Sequence, residues 1–200
     1  MKVLKLSLYI VLAIVLILVI LALVAPVNYH IEKETKIEAD HQLVYEQVVH
    51  FDHFHQWNPW SERDPDMMVT YEGTPGEVGA KYSWEGNEEA GQGSQEIKEI
   101  SGDTIFMDLV FIEPWESTAE VYYIIEDHGK ETRVVWGMHS SMPRPLNVMG
   151  WFMGIENAIG RDYEMGLDNL RERVAKQEKI RKEERATQTE FSDHVPEKLD

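Results

Sequence analysis

Three different patterns of apolar and polar residues succeed one another along the chain. From Leu6 to Ala25 there is no alternation, only an uncharged and almost wholly apolar run. From Val27 the pattern becomes two-fold: Val27, Tyr29 and Ile31 alternate with polar neighbours in "VNYHIEKETKIEAD", which predicts a strand. Asp40 then offers a helix N-cap, followed by Leu43, Val44, Val48 and Phe51 at helical spacing. Pro59 and Pro65 stop any long helix, so "HFDHFHQWNPW" belongs to a short helix and loop. Six strand-like runs follow between Met67 and Met142: "MMVTYEG", "AKYSWEG", "GQGSQEIKEI", "TIFMDLVFI", "TAEVYYIIED" and "TRVVWGMHS". The residues between them are rich in Gly, Pro, Asn and Asp, as short antiparallel connections require.

After Pro145 the period is helical. Met149, Met153, Glu156, Gly160, Tyr163, Leu167, Leu170 and Val174 mark one stripe of a long amphipathic helix. Beyond Lys176 the sequence is charged with little to bury, which predicts a fraying helix end and a disordered tail over 177–200. The organisation expected is a basic segment at 1–5, a membrane anchor at 6–25, one domain at 27–176 and the tail.

The layout is α+β: a curled seven-stranded antiparallel sheet with a long C-terminal helix against its concave face. The alternation assigns the inward side chains. Ile105, Met107, Leu109 and Phe111 share one face, with Val121, Tyr123 and Ile125, and with Val134, Trp136 and Met138. Asp108 and His139 have the opposite parity and face solvent.

Twenty apolar residues at ~1.5 Å rise span the ~30 Å of a bilayer's hydrocarbon core. A cleaved signal peptide has a shorter apolar region of ~7–15 residues and a small-x-small cleavage site, whereas here Leu23 occupies position −3 and Pro26 would follow the cut. Lys2 and Lys5 place the N-terminus in the cytoplasm, with the domain across the membrane, periplasmic in a bacterium.

Charge removes some functions. Acidic residues outnumber basic ones 36 to 19, for a formal net charge of −17, which opposes nucleic acid and a broad contact with anionic headgroups. Zero cysteines exclude disulfides, thiolate metal sites and a cysteine nucleophile.

Several phrases, in their order, carry a family resemblance. "FHQWNPWSERDPDM", "YEGTPGEVGAKYSWEG", "GQGSQEI", "FIEPWES", "TRVVWGM" and "DYEMGLDNLRERV" resemble the polyketide cyclase/dehydrase-like branch of the START/Bet v 1 (SRPBCC) superfamily, over roughly residues 30 to 175. The resemblance implies a helix-grip fold around a deep apolar cavity. Members mostly bind lipids, hormones or polycyclic compounds, and some transform them. The branch has no shared catalytic motif that maps onto these residues.

The chemistry on offer is limited. His50, His53 and His55 are imidazoles that zinc or copper takes, but the tighter H-E-x-x-H spacing is missing. Their alternative role is a polar rim around packed Phe51, Phe54, Trp57 and Trp60. Glu156 interrupts the apolar stripe of the last helix; inside a cavity its carboxyl would have a raised pKa and serve as an acid, a base or a ligand contact. It equally fits a helix edge in contact with solvent. "GEVGAK" and "GQGSQ" lack the spacing of a phosphate loop, so no cofactor is expected.

The expected cavity lining is Trp57, Trp60, Trp84, Met107, Trp136, Phe152 and Glu156. The expected function is membrane-anchored binding of a hydrophobic small molecule or lipid. Two alternatives stay open: a cyclase or dehydratase using Glu156 as general acid/base, and an interaction or stress module with a filled cavity.

Overall fold

The computed structural model describes residues 2–193. Helix α1 (Lys2–Val24) is the apolar run, and its Leu4–Val24 portion is long and apolar enough to cross a membrane. Strand β1 (Asn28–Ile37) follows, then three short helices, α2 (His41–Val49), α3 (Phe51–Phe54) and α4 (Pro59–Arg63). Asp40 caps α2 as its position foretold, accepting a hydrogen bond from the Gln42 amide at 3.0 Å. Asn58 starts α4 in the same way, accepting from the Trp60 and Ser61 amides, with Pro59 in the first turn.

Six further strands complete the sheet: β2 (Met68–Glu72), β3 (Lys81–Glu85), β4 (Gln92–Ser101), β5 (Thr104–Glu113), β6 (Ser117–Asp127) and β7 (Thr132–Ser141). Their order is β1-β7-β6-β5-β4-β3-β2, every neighbouring pair antiparallel. The inward parity read from the sequence holds: Ile105, Met107, Val121, Tyr123, Ile125, Val134, Trp136 and Met138 are buried, while Asp108 and His139 are exposed.

The C-terminal helix differs from the expectation in two ways. It is broken: α5 (Asn147–Met153) ends at Gly154, which adopts the left-handed conformation (φ 62°, ψ 40°), and α6 (Ile155–Asp193) begins after it. Gly154 has no Cβ to oppose that conformation. The break resets the helical phase, so α5 and α6 do not share one stripe. Tyr163, Leu167, Leu170 and Val174 of α6 are buried against the sheet, whereas Met149 and Met153 of α5 are exposed.

The second difference lies beyond Lys176, where a tail was expected and α6 instead continues to Asp193. Ion pairs one turn apart, Lys182–Glu178 and Lys179–Glu183, and a bridge from Arg181 to Glu46 of α2 at 2.7 Å support it. The last part of the predicted tail, 194–200, lies outside the described residues.

The ends of the sheet are distinct. Pairing of Asn28 with Ser141, Ala119 with Ser140, Phe111 with Ser117, Gln92 with Glu113 and Met68 with Glu85 puts the β5–β6 and β3–β4 connections at the end where β1 begins. Helix α1 joins at this same end.

Candidate functional site

A pocket of about 200 Å³ lies between the concave face of the sheet and α6. Its aromatic wall is built from three directions. Trp60 comes from α4, Trp84 and Tyr82 from β3, and Trp136 from β7, with Phe111 of β5 and Ile159 and Tyr163 of α6 closing the sides. Glu89, Ala90 and Gly91 of the β3–β4 connection and Glu113 and Pro114 at the end of β5 form the rim, so the pocket opens at the α1 end of the sheet.

The aromatic rings hold one another in fixed geometry. Trp136 stacks on Tyr163 with centroids 4.0 Å apart and planes 13° from parallel, and Trp60 meets both edge-on, 5.8 Å from Trp136 and 6.4 Å from Tyr163. Two glycines make this close packing possible. A Cβ on Gly166 of α6 would lie 2.7 Å from Trp136 Cζ3, and one on Gly93 of β4 would lie 2.6 Å from Trp84 Cζ2. The Trp84 indole N–H donates to the Ala90 carbonyl at 3.1 Å, fixing the ring against the rim.

Polar groups in the pocket are few. Gln95 is buried and its amide nitrogen donates to Met107 Sδ at 2.9 Å, a weak acceptor. Among the described residues the buried Trp136 indole N–H has no partner in hydrogen-bond geometry. Burial pushes the Tyr82 and Tyr163 hydroxyls well above the ordinary tyrosine range, so both are neutral donors near neutrality.

Of the residues expected to line a cavity, Trp60, Trp84 and Trp136 do so. Trp57 does not: it is 1% exposed and packs behind the wall, edge-on to Phe54 and Trp136, with its N–H donating to the Gln47 carbonyl at 2.8 Å. Met107 is likewise buried beneath the pocket, under Gln95. Phe152 is 72% exposed on α5, outside the pocket, because Gly154 turns that helix away from α6.

Glu156 is corrected too. It sits in the first turn of α6, exposed, beside a shallow polar groove with Lys33, Arg161 and Glu164. With the phase reset at Gly154, the inward position of that turn is Ile159, so no carboxylate enters the apolar pocket from α6. Tyr82, Gln95 and Ile159 are lining residues that the sequence reading did not single out, and Phe111 had been placed on the inward face without being assigned to the lining. Alternation along β3, β4 and β5 carried the signal for Tyr82, Gln95 and Phe111.

The histidines of "HFDHFHQWNPW" diverge. His53 Nδ1 bonds to the Glu46 carbonyl at 2.9 Å, while His55 Nδ1 meets Ser61 Oγ at 2.9 Å and Tyr82 Oη at 3.1 Å. His50 lies between α2 and α3, its ring 5.4 Å from that of His53. Among the described residues no group of three or more His, Asp or Glu is arranged to hold a metal ion. Burial holds the His55 imidazole below the usual histidine range, so it works as a neutral link between α4 and β3.

No family model and no curated protein matches the sequence. Solved structures do match the fold. SA2116 from Staphylococcus aureus, a protein of unknown function, aligns with a TM-score of 0.55 at 16% identity, over 76% of this chain and 98% of its own. CalU16 from Micromonospora echinospora aligns at 0.50 and 15%, over 78% and 82%. DynU16, from the dynemicin biosynthetic locus, aligns at 0.52 and 13%, over 73% of this chain, which spans about half (47%) of the DynU16 chain. At such identities the likeness is one of architecture: the curled seven-stranded antiparallel sheet gripping a long C-terminal helix is the helix-grip fold.

Proposed function

We propose that this protein is a membrane-anchored helix-grip domain that takes an apolar small molecule or lipid into the pocket between its sheet and α6. The observation that carries this reading is the aromatic-walled pocket itself, open at the end of the sheet where α1 joins. At about 200 Å³ it is below the ~300–1,000 Å³ of pockets that enclose a whole drug-sized ligand. It suits a ring or a stretch of acyl chain, with the rest of the molecule at the mouth. An acceptor atom on the ligand would satisfy the Trp136 N–H, and the Gln95 amide offers a second polar contact.

The anchor reading has structural support at the end of α1. Ala25 is 2% exposed, and the Asn147 amide nitrogen donates to the carbonyls of Ala22 and Ala25 at 3.0 and 2.9 Å. Arg144 Nε adds a bond to Ala22 at 2.9 Å. Cleavage after Ala25 would discard these buried contacts, which favours a retained span over a removed signal. Lys2 and Lys5 then orient the domain away from the cytoplasm.

The test is native mass spectrometry and organic extraction of full-length protein purified in detergent. A co-purifying apolar compound is expected, together with displacement of a fluorescent fatty acid from the pocket. Ile159→Trp, which fills the pocket from its α6 side, should abolish both while leaving the circular dichroism spectrum unchanged. Protein that is free of any compound and also fails to bind the fatty-acid probe would overturn the reading.

A further inference from the structure

Exposed apolar side chains are concentrated at one end of the molecule. On the α5 segment Leu146, Trp151, Phe152 and Met153 are all exposed, Phe152 most of all. Ile112 at the end of β5 and Trp115 in the β5–β6 connection are exposed, at 48% and 52%. At the opposite end the exposed apolar residues are Tyr71, Pro75 and Val78, around the β2–β3 turn; Gly102 and Asp103 join β4 to β5, and His128 to Glu131 join β6 to β7. Large rings are costly to leave in water, so a one-sided cluster of them marks a contact surface.

The same segment that exposes these side chains also holds the membrane helix. Asn147, the first residue of α5, and Arg144, just before it, bond to the carbonyls of the last turn of α1. Helix α5 is therefore fixed at the level where α1 leaves the hydrocarbon. Tryptophan and phenylalanine at that level match the interfacial zone of a bilayer. The β5–β6 connection reaches the same end by its strand pairing, Phe111 with Ser117, beyond the Ala119–Ser140 pair. Glu113 and Glu116 flank Trp115, so the contact gains nothing from anionic headgroups.

From these placements we infer that α5 and the β5–β6 connection insert into the outer interface of the bilayer that α1 spans, so that the pocket mouth opens against lipid. The inference deepens the proposed function and rests on α1 being a retained span. Pro114 of the inserted connection and Glu113 at the end of β5 both belong to the pocket rim, so a lipid chain passes from bilayer to pocket without crossing water. Insertion is driven by apolar area, and binding is insensitive to salt and satisfied by zwitterionic lipid.

The cysteine-free chain gives a direct test. Single variants Trp115→Cys, Phe152→Cys, Lys130→Cys and Val24→Cys of the full-length protein are labelled with an environment-sensitive fluorophore and placed in phosphatidylcholine nanodiscs. Doxyl groups near the headgroup should quench labels at 115 and 152 roughly two-fold or more, as expected for side chains ~5–10 Å into the interface. The label at 130 should be untouched, and added salt should change nothing. If 115 and 152 are no more quenched than 130 while 24 is quenched, the anchor stands and the insertion is refuted. If 24 is also unquenched, or intact mass shows α1 removed, the anchor itself fails and the insertion fails with it.

Discussion

Trp136 and Tyr163 lie face to face across the junction of sheet and helix, 4.0 Å between ring centroids. This stack is the floor of the pocket and the principal aromatic contact between β7 and α6. Truncating Tyr163→Ala should destabilise the protein by about 3–5 kcal/mol, the usual cost of deleting a buried ring. Tyr163→Phe keeps the stack and should cost far less. Urea unfolding of the full-length protein in detergent, followed by near-ultraviolet circular dichroism, separates the two.

Gly166 presents a competition between two effects of opposite sign. Alanine favours a helix over glycine by about 1 kcal/mol. Against that, its Cβ would meet the Trp136 ring at 2.7 Å and Pro59 Cδ at 3.1 Å. Overpacking of this kind costs typically ~1–3 kcal/mol and wins over propensity. Gly166→Ala should therefore lower the thermal midpoint, and a midpoint that rises would show that Trp136 moves freely.

Asn147 uses both amide hydrogens on the end of α1, and its own buried Oδ1 has no partner among the described residues. Asn147→Ala takes the amide donor from the Ala25 carbonyl while Ala22 keeps its bond from Arg144 Nε, so the expected cost is about 1–3 kcal/mol. Thermal unfolding in micelles should show that loss, while Asn157→Ala on exposed helix surface should not.

His55 should give a measurable pH dependence. Its imidazole titrates below the histidine value of about 6.5 that holds in the unfolded chain. Between the folded and unfolded values the unfolded state binds more protons, so stability rises with pH there. The contribution is complete above pH ~6.5 and is lost as pH falls below it. Unfolding midpoints of wild type and His55→Gln, compared from pH 7.5 downward, should converge as the solution becomes acidic; a constant gap would exclude titration of His55 as the cause.

Strands were legible because a half-buried sheet imposes strict alternation, and the runs read from the sequence match β2 to β7 within one residue at either end. The Gly154 break was not, because Met149, Met153 and Glu156 have helical spacing on both sides of it. A left-handed glycine changes phase without changing periodicity. That one residue accounts for both Phe152 and Glu156 being assigned to a cavity from which they are excluded. The separation of Trp57 from Trp60 had a visible signal: Asn58-Pro59 is a helix start, so the two indoles belong to different elements. The extension of α6 depends in part on Glu46, which is remote in sequence, and no local pattern announces it.

Helix α6 has 39 residues and, at ~1.5 Å each, is about 58 Å long. Its last core residue is Val174, so some 28 Å of helix, at the same rise, lies past the sheet. The N-terminal end of this rod borders the pocket, and past Val174 it is tied to α2 by the bridge from Arg181 to Glu46. One continuous helix thus joins the pocket end of the sheet to α2, so a tilt at Ile159 would be felt some 22 residues away at the Arg181–Glu46 bridge.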